Sequence, residues 1–194
     1  GGLTVLVYDL GGGTLDVSVV QIEDGVFEVL AGAGNTHLGG EDFDTQLVTF
    51  CMGYFQKKHR LPNLDALTRL SLQILKKRCE MAKRILSETR ETVIAVEDFY
   101  EGKNLYVPLT RTQFEKICRD LFILCLKPVE DVLASSELEK DDIDEVVLVG
   151  GATRIPRIRR NMTLFFNGKK PNCTVDPDEV VAMGAAAQGY ILAN

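Results

Sequence analysis

Three consecutive glycines, at residues 11–13, separate two strand-like segments near the start of the chain. Residues 3–8 and 17–22 are rich in β-branched and other apolar side chains, a composition typical of buried strands. A hairpin turn needs only one or two glycines, so a third indicates that the backbone passes close to another group. The pattern therefore predicts an antiparallel hairpin with an unusually bare turn.

Phosphate is the ligand that such a turn suits best. The N–H groups of successive glycines can donate to phosphoryl oxygens, and the hydroxyl of Thr14 adds a further donor. Asp9 and Asp16 flank the turn, and carboxylates can hold an accompanying Mg²⁺ through water. The glycines by themselves are equally compatible with a plain glycine-rich hairpin in which both acids are solvated.

The composition restricts the class of protein. With 194 residues, of which 45% are hydrophobic and 26% charged, the chain can bury a core as one domain or as two small ones. Its net charge of -6 argues against broad binding to nucleic acid or to an anionic membrane surface. We expect neither nucleic acid nor membrane among its partners.

The cysteines indicate the compartment. They are five in number, widely spaced and never in a C-x-x-C pair, so they predict neither a disulfide framework nor a zinc site. Free thiols favour a reducing compartment, and we expect a cytoplasmic protein, with the nucleus as a second location. The chain starts directly in a strand pattern, and we expect it to be a piece of a larger protein.

The rest of the sequence alternates strands with long helices, which indicates an α/β fold. The patterns predict a strand at 27–31, a glycine-punctuated loop at 32–40, helices at 41–58 and 65–87, strands at 92–96 and 105–107, a helix from 110 or 112 to 134 that Pro128 can kink, a strand at 146–149, a helix from 155 and a final small-residue helix face around 184–187. We expect residues 41–111 to form an inserted subdomain.

A polar stripe on the second long helix is a candidate nucleoside site. Glu80, Lys83, Arg84 and Ser87 recur at i, i+3, i+4 and i+7, so they share one face of the helix. Such a face is commonly a solvated ion-pair surface. Alternatively, a carboxylate and an ammonium can hydrogen-bond two ribose hydroxyls while a guanidinium stacks on a purine.

A second glycine-rich turn, at residues 150–154, follows the buried strand predicted at 146–149. Gly150 and Gly151 lack side chains, so a nucleoside could approach the backbone closely at Ala152. The alternative is a simple strand-to-helix turn in which Arg154 pairs with an acid. If both nucleoside interpretations hold, Arg84 and Arg154 could hold one base between them.

Taken together and in this order, these segments resemble a known family. The sequence is similar to the second lobe of the ATPase domain of the seventy-kilodalton heat-shock chaperones, the DnaK-type proteins of the actin and sugar-kinase superfamily. The matching segments are DLGGGTLD at 9–16, THLGGEDFD at 36–44, CEMAKRILS at 79–87, VGGATRIP at 149–156 and DPDE at 176–179. The resemblance implies an actin-like ATPase fold, ribonuclease H-like, with a mixed sheet and flanking helices.

The same resemblance implies a division into two subdomains and a role for each candidate residue. Subdomain IIA would comprise 1–40 and 112–194, and the α+β subdomain IIB would comprise 41–111. At the phosphate end, catalysis is assigned to Asp9, Thr14 and Asp16, and the water-mediated metal site to Asp9 and Asp16. Phosphate binding is assigned to Gly12, Gly13 and Thr14, and Gly11 would also belong to the nucleotide site. At the nucleoside end, Glu80 and Lys83 would hold the ribose, Ser87 would touch the adenine, and Arg84 and Arg154 would enclose the base. Gly151 and Ala152 would line the nucleoside, and Gly150 would also belong to the nucleotide site. Asp178 would lie near the metal and its water shell.

The implied reaction is ATP hydrolysis that drives peptide binding and release, with ATP or ADP, Mg²⁺ and K⁺ as cofactors. The implied partners are the first lobe of the same ATPase domain, nucleotide exchange factors, J-domain co-chaperones and unfolded client peptides. We expect the isolated chain not to turn over ATP, because the first-lobe lysine and aspartate are not in this sequence. Three positions depart from the family, which commonly has phenylalanine at Leu15, serine at Ala152 and tyrosine at Met183.

Two alternatives to a chaperone ATPase remain open from the sequence. A sugar-kinase-type phosphotransferase of the same superfamily would share the phosphate hairpin, although the helix stripe at 80–87 argues against it. A non-catalytic docking module that has lost nucleotide binding is the other, although the retained acids and arginines argue against that.

Overall fold

The computed structural model describes residues 2–174. These residues divide into two compact units, of which the first combines 2–40 with 120–174 and the second is Glu41–Arg119. Within the second unit, the rings of Phe43 and Phe114 pack with their centroids 6.2 Å apart. The assignment of subdomains IIA and IIB stays a prediction.

The elements follow one another in alternating groups of strands and helices. They are β1 (Leu3–Leu10), β2 (Leu15–Glu23), β3 (Val26–Asn35), α1 (Gly40–His59), α2 (Arg69–Glu88), β4 (Glu91–Tyr100), β5 (Lys103–Thr110), α3 (Arg111–Ile117), α4 (Arg119–Leu124), α5 (Lys127–Ser136), β6 (Glu145–Val149) and α6 (Pro156–Phe165). Within residues 2–174, no helix combines the length and the hydropathy that a membrane crossing requires.

A mixed four-stranded sheet with the order β3-β2-β1-β6 forms the first unit. Strand β1 pairs antiparallel with β2 and parallel with β6, so it is one of the two inner strands. Its residues from Val5 to Tyr8 are buried, and the Tyr8 hydroxyl donates to the Cys125 carbonyl at 3.1 Å. Helix α5 packs against β2 and β3. The predicted mixed α/β architecture is confirmed. Pairing with β2 on one edge and with β6 on the other holds β1, the strand that carries Asp9.

Two predicted elements differ from the structure. The loop predicted at 32–40 begins later, because β2 continues to pair until Leu15 lies opposite Asn35. The single helix predicted to end at 134 is three helices, α3, α4 and α5. Pro128 lies in the first turn of α5, where its missing N–H costs no helical hydrogen bond, so it begins a helix rather than kinking one. The predicted final helix lies outside the described residues.

The second unit combines helices with the antiparallel β4–β5 hairpin. Thr68 caps α2 by accepting from the Ser71 N–H, and this helix buries one face that includes Leu75, Cys79 and Leu86. That face packs beside β4, and α3 follows β5 through a capping box between Thr110 and Gln113. The polar stripe of α2 therefore lies on a helix whose rotation is set by its buried face.

Candidate functional site

The glycine turn between β1 and β2 is exposed and internally braced. The Gly11 N–H donates to the Thr14 carbonyl at 3.0 Å, which closes the turn. Gly12, Gly13 and Thr14 are exposed at its tip. The Gly40 N–H donates to the Gly11 carbonyl at 2.9 Å, so the start of α1 holds the turn from behind. The predicted hairpin with a bare turn is present.

Gly39 packs directly on this turn, and sequence reasoning gave it no role. A Cβ at Gly39 would lie 2.3 Å from the Gly12 oxygen and 2.5 Å from the Gly13 nitrogen, which is closer than real Cβ contacts allow. Only glycine therefore fits there without moving the turn. The signal available in the sequence was the Gly39-Gly40 pair at the start of a helix whose first turn is acidic.

Asp9 and Asp16 lie directly opposite each other on β1 and β2, so both side chains project from the same face of the sheet. Although Asp9 keeps an exposed fraction, partial burial of its carboxyl group raises its pKa, and the charge of Asp16 raises it further. Like charges directly opposite each other in a sheet are unfavourable. A cation between or beside them would remove that penalty.

The end of β6 meets the end of β1 at Gly150. This residue has φ of +89°, and a Cβ there would lie 2.3 Å from the Leu10 carbonyl oxygen and 2.7 Å from the Asp9 Oδ1. The contact arises because parallel pairing places Val149 beside Asp9. The structure thus brings the second glycine turn against the phosphate end of the candidate site, a juxtaposition that the local sequence did not reveal.

The segment after Gly150 is a single 3-10 turn, Gly151–Arg154. The Thr153 hydroxyl donates to the Gly150 carbonyl at 2.7 Å, while Ala152 and Thr153 are buried and Gly151 and Arg154 are exposed. Among the ion pairs of residues 2–174, none involves Arg154. The alternative in which an acid pairs with Arg154 therefore has no support in the described part of the chain.

The polar stripe of α2 contains two ion pairs of different character. Arg84 contacts the Glu80 carboxylate at 2.6 Å, and both side chains are exposed, at 76% and 45%. Lys83 Nζ lies 2.8 Å from one oxygen of Asp44 and 2.9 Å from the other, and these side chains are only 11% and 16% exposed. The Ser87 hydroxyl donates to the Lys83 carbonyl at 3.3 Å. The predicted shared face is present.

Asp44 is the partner of Lys83 that sequence reasoning missed. It lies on α1, 39 positions from Lys83 along the chain, so no local spacing could connect the two. Burial is the largest influence on Asp44 and raises its pKa, while Lys83 acts in the opposite direction and Glu80 and Glu41 raise the pKa further.

The predicted site residues are divided between the two units. The first unit holds the phosphate end and the second glycine turn, namely Asp9, Gly11, Gly12, Gly13, Thr14, Asp16, Gly150, Gly151, Ala152 and Arg154. The second unit holds Glu80, Lys83, Arg84 and Ser87. Asp178 lies outside the described residues. The roles assigned to all of these residues stay predictions.

The donor set of the first unit suits a hydrated cation. Across residues 2–174, no group of three or more His, Cys, Asp or Glu side chains is arranged to hold a metal ion. Mg²⁺ is commonly bound by one or two carboxylates together with water and phosphate oxygens rather than by a cage of protein ligands. The opposed Asp9 and Asp16 beside an exposed glycine turn fit that requirement.

Comparison with known proteins identifies extensive similarity along the chain. The family described as Hsp70 protein matches residues 2–194. Heat shock cognate 70 kDa protein 3 of Dictyostelium discoideum is 49% identical over 194 residues, which are 100% of this chain and 30% of that protein. Heat shock 70 kDa protein 2 of Paracoccidioides lutzii is 49% identical over 194 residues, which are 100% of this chain and 29% of that relative.

A viral relative gives the same picture. The heat shock protein 70 homolog of Acanthamoeba polyphaga mimivirus is 50% identical over 196 aligned positions, which cover 100% of this chain and 21% of that protein. The chain therefore spans less than a third of the length of these relatives. All three are named as heat-shock proteins, and the sugar-kinase alternative is not favoured.

Proposed function

The chain belongs to the Hsp70 protein family, and on that premise we propose that it forms half of a cleft that binds adenine nucleotide and hydrolyses ATP. The complete polypeptide that carries this sequence would be a chaperone in which hydrolysis drives peptide binding and release. The observation that carries the proposal is the opposed pair Asp9 and Asp16 beside the exposed glycine turn.

The phosphate end can act mainly by holding fixed donors where negative charge collects. The exposed turn offers backbone N–H groups and the Thr14 hydroxyl to phosphoryl oxygens. Tight packing of Gly39 and Gly150 keeps this backbone in place, so little reorganisation is needed during phosphoryl transfer. Asp9 and Asp16 would orient the attacking water, and they would hold Mg²⁺ through water. When bound, Mg²⁺ would neutralise charge on the phosphates.

The nucleoside end is proposed from the sequence resemblance. Glu80 and Lys83 would bind the ribose hydroxyls, and Ser87 would contact the adenine. Arg84 and Arg154 would stack on the base, and their exposed side chains are compatible with that role. Gly150, Gly151, Ala152 and Asp178 keep the roles that the resemblance implies.

The partners and the location are proposals of the same kind. We propose the first lobe of the ATPase domain, nucleotide exchange factors, J-domain co-chaperones and unfolded peptides as partners, and K⁺ as a second cation. A cytoplasmic location is supported by the cysteines, since the five are free thiols and four of them, Cys51, Cys79, Cys118 and Cys125, are buried.

The test is a calorimetric titration of Mg-ADP into the complete polypeptide that carries this sequence. Arg154→Ala should weaken binding by about 2- to 30-fold, because a stacked guanidinium contributes roughly 0.5–2 kcal/mol. Arg160→Ala is the matched control, because it also removes an exposed arginine, in this case one on α6. It should leave the affinity unchanged. No saturable binding by the unmodified protein would reject nucleotide binding and favour the docking module. ADP formation that depends on added sugar would favour a sugar kinase.

A further inference from the structure

The ion pair between Asp44 and Lys83 is largely buried, unlike the exposed pair between Glu80 and Arg84 on the same stripe. We propose that Asp44 is a positioning residue for ribose recognition, which holds the Lys83 ammonium at the ribose hydroxyls of a bound nucleotide. This inference rests on the proposed function, because it concerns the ribose contact assigned to Lys83. Asp44 ends the segment THLGGEDFD at 36–44, to which sequence reasoning assigned no binding role.

The contact is short and shielded. Lys83 Nζ donates to Asp44 Oδ2 at 2.9 Å, and Asp44 Oδ1 lies 2.8 Å from the same ammonium without accepting a hydrogen bond. Both side chains are at most 16% exposed, and both lie within the second unit. A lysine side chain has many rotamers in solvent, and anchoring to α1 restricts them. The position of the ammonium is therefore set by two helices rather than one.

Stability alone is a poor reason for this arrangement. Burial of the Asp44 carboxyl is a larger influence than the favourable contact with Lys83, and the net direction is a raised pKa. Nearby Glu41 and Glu80 also disfavour the ionised carboxylate. Buried ion pairs commonly give no more stability than apolar residues of similar size. A cost of this kind is expected where the charge is used for binding.

The chemistry of the ammonium allows both contacts at once. A lysine ammonium carries three N–H donors, so a ribose hydroxyl can take one of them in exchange for another partner while the bond to the Asp44 carboxylate stays. Glu80 lies one turn away on the same stripe and offers an acceptor, and its own pair with Arg84 is exposed and able to rearrange. The stripe therefore combines a fixed donor at Lys83 with adaptable groups at Glu80 and Arg84.

The test compares ADP with 2′,3′-dideoxy-ADP in the Asp44→Asn variant of the complete polypeptide, by calorimetric titration. We expect the unmodified protein to bind ADP about 10- to 100-fold more tightly than the dideoxy analogue, as for hydrogen bonds to charged groups. Asp44→Asn should weaken ADP binding by about tenfold and leave the affinity for the dideoxy analogue unchanged. Glu41→Gln, a neighbouring exposed acid on α1, is the matched control and should preserve the discrimination.

The outcomes separate this inference from the proposed function. Equal weakening of both nucleotides by Asp44→Asn would show a merely structural role and overturn the inference, while the proposed function would stand. Failure of the unmodified protein to bind ADP would overturn both. If Asp44→Asn does not reach a native circular dichroism spectrum, Asp44→Glu replaces it. That variant keeps the charge but displaces the ammonium, so its discrimination should be reduced, and full discrimination would contradict the inference.

Discussion

The glycine turn of the first unit and the α2 stripe of the second unit achieve their candidate functions by different means. In the turn, backbone atoms supply the donors, and close contacts at Gly39 and Gly150 leave no room for side chains. In the stripe, side chains supply every contact, and a carboxylate from another helix fixes one of them. The difference indicates that Gly39 and Gly150, which pack beside the turn, are intolerant of added atoms, whereas the stripe is sensitive to lost charges.

The largest expected effect concerns catalysis at the turn. We expect Asp9→Asn to lower kcat for ATP hydrolysis by the complete polypeptide by about 10²–10³-fold, the loss typical of a removed electrostatic group. The free energy of unfolding should rise, because the substitution removes a carboxylate whose pKa is raised by partial burial and, secondarily, by the like charge of Asp16. Phosphate release and urea unfolding measure the two quantities.

Asp24→Asn is the control for that substitution. Asp24 is an exposed acid in the turn between β2 and β3, and its φ of 51° is a conformation that asparagine also adopts. It should leave both kcat and stability unchanged. An Asp9→Asn protein that retained full activity would remove the carboxylate pair from the proposed mechanism.

A second prediction separates steric contact from backbone conformation. Gly150→Ala and Gly25→Ala both place alanine at positive φ, +89° and +79°, within the same unit. A Cβ at Gly25 meets no atom within 4 Å, whereas a Cβ at Gly150 meets backbone at 2.3 Å. We expect Gly25→Ala to lower the unfolding free energy by about 1 kcal/mol and Gly150→Ala by about 2–4 kcal/mol. Urea unfolding provides the values, and equal losses would show that the backbone at Gly150 relaxes freely.

The same contrast explains how much could be predicted from the sequence. The hairpin, its bare turn and the shared face of Glu80, Lys83 and Arg84 follow from local periodicity, and the structure has all of them. The packing of Gly39 on the turn and the Asp44 partner of Lys83 depend on tertiary contacts between distant segments. Propensity also failed at residues 32–35, where glycine and alanine suggested a loop but pairing with β2 extends the strand.

The smallest expected effect is a pH dependence of stability that originates at Asp44. Its pKa is raised above the ordinary 3.8, because burial outweighs the contact with Lys83, and Glu41 and Glu80 act in the same direction as burial. In the pH interval that begins near 3.8 and extends to the raised pKa, the folded protein therefore binds more protons at this site than the unfolded chain. This contribution is fully present below that interval and is lost as the pH rises through it.

The measurement is the difference in unfolding free energy between the unmodified protein and Asp44→Asn, followed by urea unfolding from low to neutral pH. The asparagine cannot titrate, so the unmodified protein should lose unfolding free energy relative to Asp44→Asn as the pH rises through this interval. The Cys118 thiol, whose pKa burial and then the Asp44 charge raise to about 12, stays protonated throughout and adds nothing to the slope. Glu80→Gln removes an exposed acid that pairs with Arg84 and should preserve most of the slope. A slope of opposite sign would mean that the contact with Lys83 outweighs burial in setting the Asp44 pKa. The ion pair would then stabilise the fold, and its role in positioning the ammonium would carry no loss of stability.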